Sequence, residues 1–477
     1  MERSLNVLFV RPKPSPETIG LQHIMVVEPL ELEILATLIK ADNQVTVIDM
    51  IHEKKPISYF IHKYDPDVFC ITGYITHTAI MAAYCRIAKE INPKTVTVTG
   101  GIHIEKFPED IDHEYVDFRV VRNATITFPK LIDHIKGNAD LPNGVLSQGE
   151  ILDEALLPEY DFYTIIPDRT LTSKYRKKYF YVFHNKVALL KTSFGCPYKC
   201  NFCYCRIITG GKYFARPIDI VIKELKTIKE KEIYIIDDDF LLEKGRLKEF
   251  IRLVKLNGIN KNYLVFGRAD FIADNPNIIH EFKSIGLRTV LVGLESFNND
   301  ELSGYKKQTS ESTNKLALKV LSESNVDCYA AVILSPTWSQ EDFNRAADIM
   351  VELGLKFINL QPLTPLKGTG LYIDEDTLII DRSDFSKWDL AHIMVKPHHM
   401  TVSEYYNNII KLYQRVIFKP KHLWGYIKYS PLMQYKIIKG LIKIRKQYRK
   451  KIMEGSHYAK NTIYSTDSVQ RQEQKTL

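Results

Sequence analysis

Short β-branched runs alternate with helical patterns over residues 1–138. The runs that predict strands are LNVLFV, VTVIDM, DVFCITGY, TVTVTGG and VDFRVV. Between them, helical periodicity marks PLELEILATLIKAD, TAIMAAYCRIAKEI and FPKLIDHIK. Because strand–helix alternation joins parallel strands through crossovers, this pattern predicts an N-terminal α/β domain with a doubly wound parallel sheet.

Ligands of such a sheet bind at the carboxyl ends of its strands. Two of the predicted strands end in small or hydroxylated residues, which makes that edge a candidate binding site. The residues are Thr72, Gly73, Thr99, Gly100 and Gly101.

The pattern changes over residues 139–186, where GNADLPNGVLSQGE is rich in turn formers and KYRKKYFYVFHNK is basic and aromatic. We interpret this stretch as a linker. Alternation resumes over residues 187–385, where six further strand–helix units begin at VALLKTS, EIYIIDDDF, YLVFGRAD, TVLVGLES, CYAAVIL and FINLQPLTP. Their number and spacing predict a second α/β domain, a partial (β/α)6 barrel.

Residues 386–452 lack strand patterns and predict a helical C-terminal region, whereas the polar stretch 453–477 predicts a disordered tail. One predicted helix, YKIIKGLIKIRKQYRKKIMEG, is strongly basic. An apolar stripe recurs along it at helical spacing, formed by Ile437, Leu441, Ile444, Tyr448 and Ile452. The stripe fits either contact with an anionic membrane surface or packing against the protein with a solvated outer face.

Composition narrows the class of protein. A hydrophobic content of 45% over 477 residues is typical of a globular chain of two or three domains. No apolar run is long enough to span a membrane, and MERSLNVLFVRPKP reads as a first strand rather than a signal peptide. The net charge of +8 is too small for this length to indicate nucleic acid as a partner. We therefore expect a cytoplasmic protein.

The stretch KTSFGCPYKCNFCYCRIITG holds four of the chain's seven cysteines. An odd number and tight clustering argue against a disulfide framework. A structural zinc site needs a second ligand pair that the sequence lacks, and a ferredoxin run has a different spacing. The remaining interpretation uses Cys196, Cys200 and Cys203 on a [4Fe–4S] cluster that keeps one iron open. Cys205 is then a nearby buried thiol, or a contact to substrate.

This C-x3-C-x2-C loop after a barrel strand resembles the radical S-adenosylmethionine superfamily. The resemblance implies that the open iron binds S-adenosylmethionine and that the reduced cluster cleaves it to a 5′-deoxyadenosyl radical. It also implies contacts to that cofactor from Phe202 at the adenine and from strand-end polar residues. The latter are Asp237, Asp238 and Asp239 at the amino group, Arg268 at the carboxylate, and Glu295 and Ser296 at the ribose.

An α/β domain placed before such a barrel resembles the cobalamin-binding class of the superfamily, whose N-terminal domain is Rossmann-like and flavodoxin-like. Two features depart from that class. The D-x-H-x-x-G motif is absent, because Asp49 and His52 are spaced D-x-x-H, so we interpret His52 as a surface loop residue. VVRNATITF replaces an acidic Gly-rich turn, which leaves Arg122 and Asn123 as candidate contacts to a phosphate or amide.

RTLTSKYR, GLRTVLVGLE and LTPLKGTGLY are most similar to the hopanoid C-3 methylase-like branch. The resemblance implies methyl transfer to an unactivated carbon of a lipid, isoprenoid or other small molecule, with cobalamin as a cofactor. An external donor such as flavodoxin or ferredoxin would supply electrons. A cyclase or oxidase reaction without methyl transfer is the alternative. With a lipid substrate, a peripheral position at the inner face of the membrane is the second interpretation of localisation.

Overall fold

A computed structural model describes residues 3–20, 23–161, 164–417 and 430–473, with side chains to residue 454. The first 150 residues contain the strands β1 (Asn6–Arg11), β2 (Met25–Val26), β3 (Gln44–Asp49), β4 (Val68–Thr72), β5 (Val96–Gly100), β6 (Phe118–Val120) and β7 (Val145–Ser147). All except β2 form one sheet in the order β3-β1-β4-β5-β6-β7. The five predicted strands are confirmed, and they pair in parallel.

Helices cover both faces of this sheet. They are α1 (Leu30–Ile39), α2 (Ile57–Tyr64), α3 (Thr78–Ile91) and α4 (Ala124–Ile135). Alternate side chains of β1 enter different cores: Val7 and Phe9 pack with α1 and α4, whereas Leu8 and Val10 pack with α2 and α3. A strand buried on both faces is what a doubly wound sheet requires. The predicted fold class is therefore confirmed here, although α2 had no predicted counterpart.

The stretch predicted to be a linker is built into the protein. Strand β7 pairs antiparallel with β6 and extends the first sheet, so the first domain continues past residue 138. Two short strands, β8 (Phe180–Tyr181) and β9 (His184–Asn185), form a small sheet with β2. Arg169 Nη2 lies 2.8 Å from Glu224 in the second domain, and its Nη1 pairs with Glu28 in the first. The segment thus fixes one domain to the other.

The second sheet begins with β10 (Val187–Leu190). A short hairpin follows, made of β11 (Ser193–Phe194) and β12 (Phe214–Ala215) with α5 (Cys205–Thr209) between them. The other strands are β13 (Glu232–Ile235), β14 (Asn262–Gly267), β15 (Leu287–Glu295), β16 (Asp327–Leu334) and β17 (Phe357–Pro362). They pair in parallel in the order β10-β13-β14-β15-β16-β17, with β10 and β17 as the two ends. The six predicted strand units and the partial barrel are confirmed.

Helices pack on the outer face of this sheet. They are α6 (Ile218–Thr227), α7 (Lys244–Leu256), α8 (Ala269–Asp274), α9 (Pro276–Ser284), α10 (Asn299–Gly304), α11 (Glu311–Glu323) and α12 (Gln340–Glu352). In β13, Ile233 and Ile235 face these helices, whereas Tyr234 faces the barrel interior. Leu30 and Ile34 of α1 pack into the same interior cluster as Tyr234. The first domain therefore closes part of the barrel.

The C-terminal region contains α13 (Val402–Ile417) and a long C-terminal helix, Pro431–Glu473. This helix extends past residue 453 to Glu473, so most of the stretch that was predicted to be a disordered tail is helical. Ile437 and Tyr448 of the predicted apolar stripe are buried against the protein, so that stripe packs inward. Among the described helices, none is both long and apolar enough to cross a membrane.

Candidate functional site

Three cysteines are gathered on the loop between β11 and α5. Cys200 is buried, and Cys196 and Cys203 are partly buried. The Cys203 amide donates to the Cys200 carbonyl at 3.3 Å, which turns the loop back on itself. The loop follows the carboxyl end of β10 through the short strand β11, so its thiols lie at the mouth of the barrel, where such folds place their sites.

The first two of the three consecutive aspartates hold this loop in place. Asp237 accepts hydrogen bonds from the Thr192 amide at 2.6 Å and from the Ser193 hydroxyl at 2.7 Å. Asp238 accepts from the Gly195 amide at 2.7 Å. These carboxylates accept hydrogen bonds within the protein, and their contact with an amino group of the cofactor stays a prediction.

Asp239 differs from both of its neighbours. Its side chain is buried, and within the described part of the chain neither carboxylate oxygen has a partner with hydrogen-bond geometry. Burial raises the pKa of Asp239 to about 7, although Arg268 and the nearby Leu241 amide act to lower it. A buried carboxylate without a donor is destabilising unless a ligand supplies one. Asp239 is therefore the aspartate suited to bind an ammonium group.

Arg268 lies directly against the cysteine loop. Its Nη1 is 3.9 Å from Cys200 Sγ, and its guanidinium carbon is 3.6 Å from the centre of the Tyr198 ring. Nη2 donates to the Lys307 carbonyl and to Asp270, both at 2.8 Å. The arginine that was predicted to face the cofactor carboxylate thus has most of its donors occupied beside a cysteine.

Glu295 and Ser296 end β15 close to this arginine. Glu295 pairs with the buried Lys307 at 2.8 Å and adopts a φ of 60°, a left-handed conformation that is strained for glutamate. The Ser296 hydroxyl donates to Glu301. Both side chains that were predicted to contact ribose have partners of their own in the structure.

Phe202 lies just before the third cysteine and forms an apolar wall. Its ring packs edge-on against Tyr305, with 5.7 Å between the ring centres and 76° between the planes. Lys307 Nζ lies 6.0 Å from the Phe202 ring centre. Its place between the cysteines and an aromatic cluster suits contact with a flat base.

The predicted edge of the first domain is assembled around Gly73 and Gly101. Gly101 has a φ of 116°, and a Cβ added there would lie 2.5 Å from the Gly73 carbonyl oxygen. A Cβ added at Gly100 would meet only Val120, at 3.8 Å. Thr72 ends β4, and Thr99 is the last residue but one of β5, beside these glycines. The structure therefore brings the five predicted residues together, but only two of the glycines are sterically required.

Two exposed side chains, those of Tyr74 and Glu31, lie close together near this edge. Tyr74 keeps 66% of its surface open, yet burial raises the pKa of its hydroxyl, and Tyr234 of the barrel interior is close enough to feel its charge. Glu31 is likewise exposed while burial raises its pKa.

Two models of known protein families match this chain, one over each α/β domain. A model described as the Radical SAM superfamily matches residues 190–350, and one described as the B12 binding domain matches residues 24–132. The chain carries the two domains of a cobalamin-binding radical S-adenosylmethionine protein. This confirms the predicted cofactor set, because a radical SAM domain uses a [4Fe–4S] cluster with S-adenosylmethionine and a B12-binding domain binds cobalamin.

Similar proteins share nearly the whole chain. The hopanoid C-3 methylase of Methylococcus capsulatus is 26% identical, with 88% of this chain and 82% of the relative covered. An anaerobic magnesium-protoporphyrin IX monomethyl ester cyclase of Synechocystis is 23% identical, with 82% of each covered. The solved structure of the radical S-adenosylmethionine methyltransferase TsrM from Kitasatospora setae has a TM-score of 0.68 at 15% identity, over 94% of this chain and 100% of that one. That likeness confirms the fold.

The thiols of the radical SAM domain fit a cubane cluster. Within the described ranges, no three His, Cys, Asp or Glu side chains surround one point that a single metal ion would fill. A [4Fe–4S] cluster needs no such point, because each cysteine binds a different iron. Cys196, Cys200 and Cys203 stay the predicted ligands, because three soft thiolates would leave the fourth iron for another molecule.

Cys205, the fourth of the clustered cysteines, forms a hydrogen bond with Cys203. A hydrogen bond from Cys205 lowers the pKa of Cys203 to about 7, and the same contact raises the pKa of Cys205 well above its usual value. Burial raises the pKa of Cys196 to about 12 and also raises that of Cys200. Cys205 therefore remains a thiol that donates to Cys203; it was predicted to be a nearby buried thiol, and the structure shows it partly buried.

Three side chains of the B12-binding domain differ from expectation. His52 lies in the turn after β3, as predicted for a loop residue, but its ring is partly buried 5.4 Å from Tyr179, and burial lowers its pKa. Arg122 covers the Tyr160 ring at 3.9 Å and donates to the Pro158 carbonyl. Asn123 donates to the Glu159 carbonyl. Both side chains thus contact segment 158–160, whereas the buried Arg122 Nε has no hydrogen-bond partner among the described residues.

Sequence reasoning missed Lys307, Tyr198 and Asp270. Lys307 is fully buried and neutralises Glu295, Tyr198 lies under Arg268, and Asp270 pairs with that arginine. Asp270 follows Arg268 by two residues, which was a local signal for a pair. Lys307 lies twelve residues beyond Glu295, and no local sequence pattern predicts that contact.

Proposed function

We propose that this protein is a cobalamin-dependent radical S-adenosylmethionine methyltransferase that acts on an unactivated carbon. The observation that carries the proposal is the unpartnered Asp239 carboxylate beside a three-cysteine loop, in a barrel that is packed against a B12-binding domain. When they are bound, the reduced cluster and S-adenosylmethionine supply a hydrogen-abstracting radical, and cobalamin supplies a methyl carrier.

The residues of the chain have distinct parts in this proposal. Asp239 accepts hydrogen bonds from the ammonium group of S-adenosylmethionine, because a charge-assisted bond satisfies its buried oxygens. Phe202 offers an apolar surface to the adenine, and Arg268 fixes the position of Cys200. Asp237 and Asp238 act as positioning residues for the cysteine loop.

A cavity beside the cysteine loop suits a substrate with an apolar body. It has a volume of about 490 Å³ and is lined by Leu366, Leu371 and Phe385, together with Lys367, Asp110 and Arg382. The segment that forms it approaches the cysteine loop, since a Cβ added at Gly370 would lie 3.6 Å from Asn201. Mixed apolar and polar lining is typical of small-molecule sites. This supports a lipid, isoprenoid or other small molecule as the substrate.

The second candidate function is a cyclase or oxidase reaction without methyl transfer. The similarity to the magnesium-protoporphyrin cyclase over 82% of the chain favours it. In that case the same radical would begin the reaction, but the product would lose hydrogen and gain no carbon.

Further partners belong to the same proposal. Cluster reduction needs an external electron donor such as flavodoxin or ferredoxin, which places the protein in the cytoplasm, where these donors and reduced thiols occur. Peripheral contact with the inner face of the membrane would bring the protein to a lipid substrate. The proposal assigns no part to nucleic acid.

Product mass separates the two functions. Anaerobic protein that is reconstituted with iron, sulfide and cobalamin would be incubated with dithionite, a lipid extract and S-adenosylmethionine that carries a deuterated methyl group. We expect 5′-deoxyadenosine, S-adenosylhomocysteine and a product that contains the labelled methyl. An unlabelled product that has lost two hydrogens would identify the cyclase or oxidase instead. If Cys203→Ser releases as much 5′-deoxyadenosine as the unchanged protein does, both are wrong.

A further inference from the structure

The C-terminal helix has one apolar stripe that is covered by the rest of the protein. Met433 packs with Val26 and Phe180, and Tyr448 packs with Tyr406 of α13. Gly440 permits the closest approach, since a Cβ there would lie 2.3 Å from the His23 carbonyl oxygen. The helix is thus fixed along one side, and its opposite side has a defined orientation.

A second apolar stripe lies on that opposite side. Leu432, Tyr435, Ile438 and Ile442 are 58%, 62%, 57% and 51% exposed. Their spacing of three, three and four residues places them on one face of a helix. Single exposed apolar residues are ordinary on a protein surface, but four along one helix face form a patch.

Positive charge surrounds this patch. Exposed lysines and arginines at helical spacing flank the apolar stripe and continue its face toward the C-terminus, namely Lys439, Lys443, Arg445, Lys446 and Arg449. Between Pro431 and Met453 the sequence has no acidic residue. Charge of one sign next to exposed aliphatic side chains is the arrangement found in helices that lie in a membrane interface.

We propose that this face, Leu432 to Arg449, docks the protein on an anionic lipid bilayer. The aliphatic side chains would enter the boundary between head groups and acyl chains, while the lysines and arginines meet lipid phosphates. Nucleic acid would satisfy the cations but leave four large apolar side chains against its charged backbone, so the observations favour a bilayer. The docking does not depend on the reaction proposed above.

Vesicle sedimentation of the full-length protein tests the docking. At low salt we expect binding to phosphatidylcholine vesicles that contain phosphatidylglycerol, and little binding to phosphatidylcholine alone. Ile438→Asp/Ile442→Asp should lose the binding, and Lys439→Gln/Lys443→Gln should weaken it on the order of 30-fold, at about 1 kcal/mol per basic residue. Leu316→Asp and Lys248→Gln, exposed on α11 and α7, are matched controls that should bind normally.

Hydrogen exchange of the unchanged protein gives a second measurement that needs no variant. Amides of residues 431–453 should become slower to exchange when anionic vesicles are added. The proposal is overturned if the unchanged protein ignores these vesicles at low salt, if the Ile438→Asp/Ile442→Asp protein binds as well as the controls, or if a DNA or RNA oligonucleotide binds more tightly than the vesicles.

Discussion

Lys307 Nζ lies 2.8 Å from Glu295 Oε1, and both side chains are buried next to the cysteine loop. The Lys307 carbonyl also accepts a hydrogen bond from Arg268, whose other nitrogen approaches Cys200 Sγ. The pair therefore connects the end of β15 with Cys200, a proposed cluster ligand, through one intermediate side chain. We expect this pair to stabilise the mouth of the barrel and to help position Cys200.

Breaking this pair should be costly. Lys307→Met leaves the buried Glu295 carboxylate without a counter-ion, so we expect a loss of about 3–5 kcal/mol in the free energy of unfolding, measured by anaerobic urea titration. Adding Glu295→Gln to this variant should recover much of the loss. Lys315→Met, which breaks an exposed pair with Glu311, is the control and should cost far less. Equal urea midpoints for Lys307→Met and the unchanged protein would contradict the prediction.

Substitution by asparagine should have different effects at Asp239 and at Asp237. Asp239→Asn should weaken S-adenosylmethionine binding about 10- to 100-fold, measured by equilibrium dialysis, because a charge-assisted bond is lost. Without ligand it should stabilise the fold at neutral pH, because a neutral amide replaces a buried carboxylate that has no hydrogen-bond partner among the described residues. Asp237→Asn should do the reverse and lower stability, because it disturbs three accepted hydrogen bonds. Identical behaviour of the two variants would rule out this division.

Affinity for S-adenosylmethionine should depend on pH through Asp239. Burial raises the pKa of this acid from 3.8 to about 7, so the folded protein takes up a proton between these values that the unfolded chain does not. Folding stability without ligand therefore increases as pH falls from about 7, whereas binding of an ammonium group weakens. One pH unit below the pKa we expect roughly tenfold weaker binding. The Asp239→Asn protein should show no such change.

Substitution of the four clustered cysteines should show that three of them bind the cluster and that the fourth, Cys205, does not. Replacing Cys196, Cys200 or Cys203 by serine should lower the iron and sulfide content of anaerobically prepared protein to near zero. Cys205→Ser should keep the cluster, because a hydroxyl still donates a hydrogen bond to Cys203. Iron analysis and the visible absorption of the cluster measure the outcome. A Cys205→Ser protein without iron would make Cys205 a ligand.

Substitutions at Gly101 and Gly100 of the B12-binding domain should affect cobalamin binding differently. Gly101→Val forces a side chain into a left-handed backbone and toward the Gly73 carbonyl, so cobalamin content should fall severalfold while iron content is kept. Gly100→Ala is the matched control, because its Cβ has ordinary contact distances. Absorption spectra after reconstitution report both cofactors. Normal cobalamin content in Gly101→Val would show that this edge tolerates a side chain.

The order of strands and helices could be read from the chain because side-chain periodicity is local. The alternation of Ile233, Tyr234 and Ile235 between two faces needs only the geometry of a strand. The cysteine loop could also be predicted from sequence, since its three candidate ligands lie within eight residues and follow a strand. The same reasoning failed for segment 139–186, where turn-rich sequence concealed β7 and the Arg169 contacts that join the domains.

Sequence alone therefore determined the two α/β folds and predicted the cluster ligands and the polar residues at the strand ends. Only the tertiary structure decided which of those residues have partners: Asp237 is occupied, Asp239 is open, and the two stripes of the C-terminal helix have opposite fates. The reason is physical. Periodicity and spacing depend on neighbours along the chain, whereas hydrogen bonding and burial depend on groups that folding brings together from distant positions.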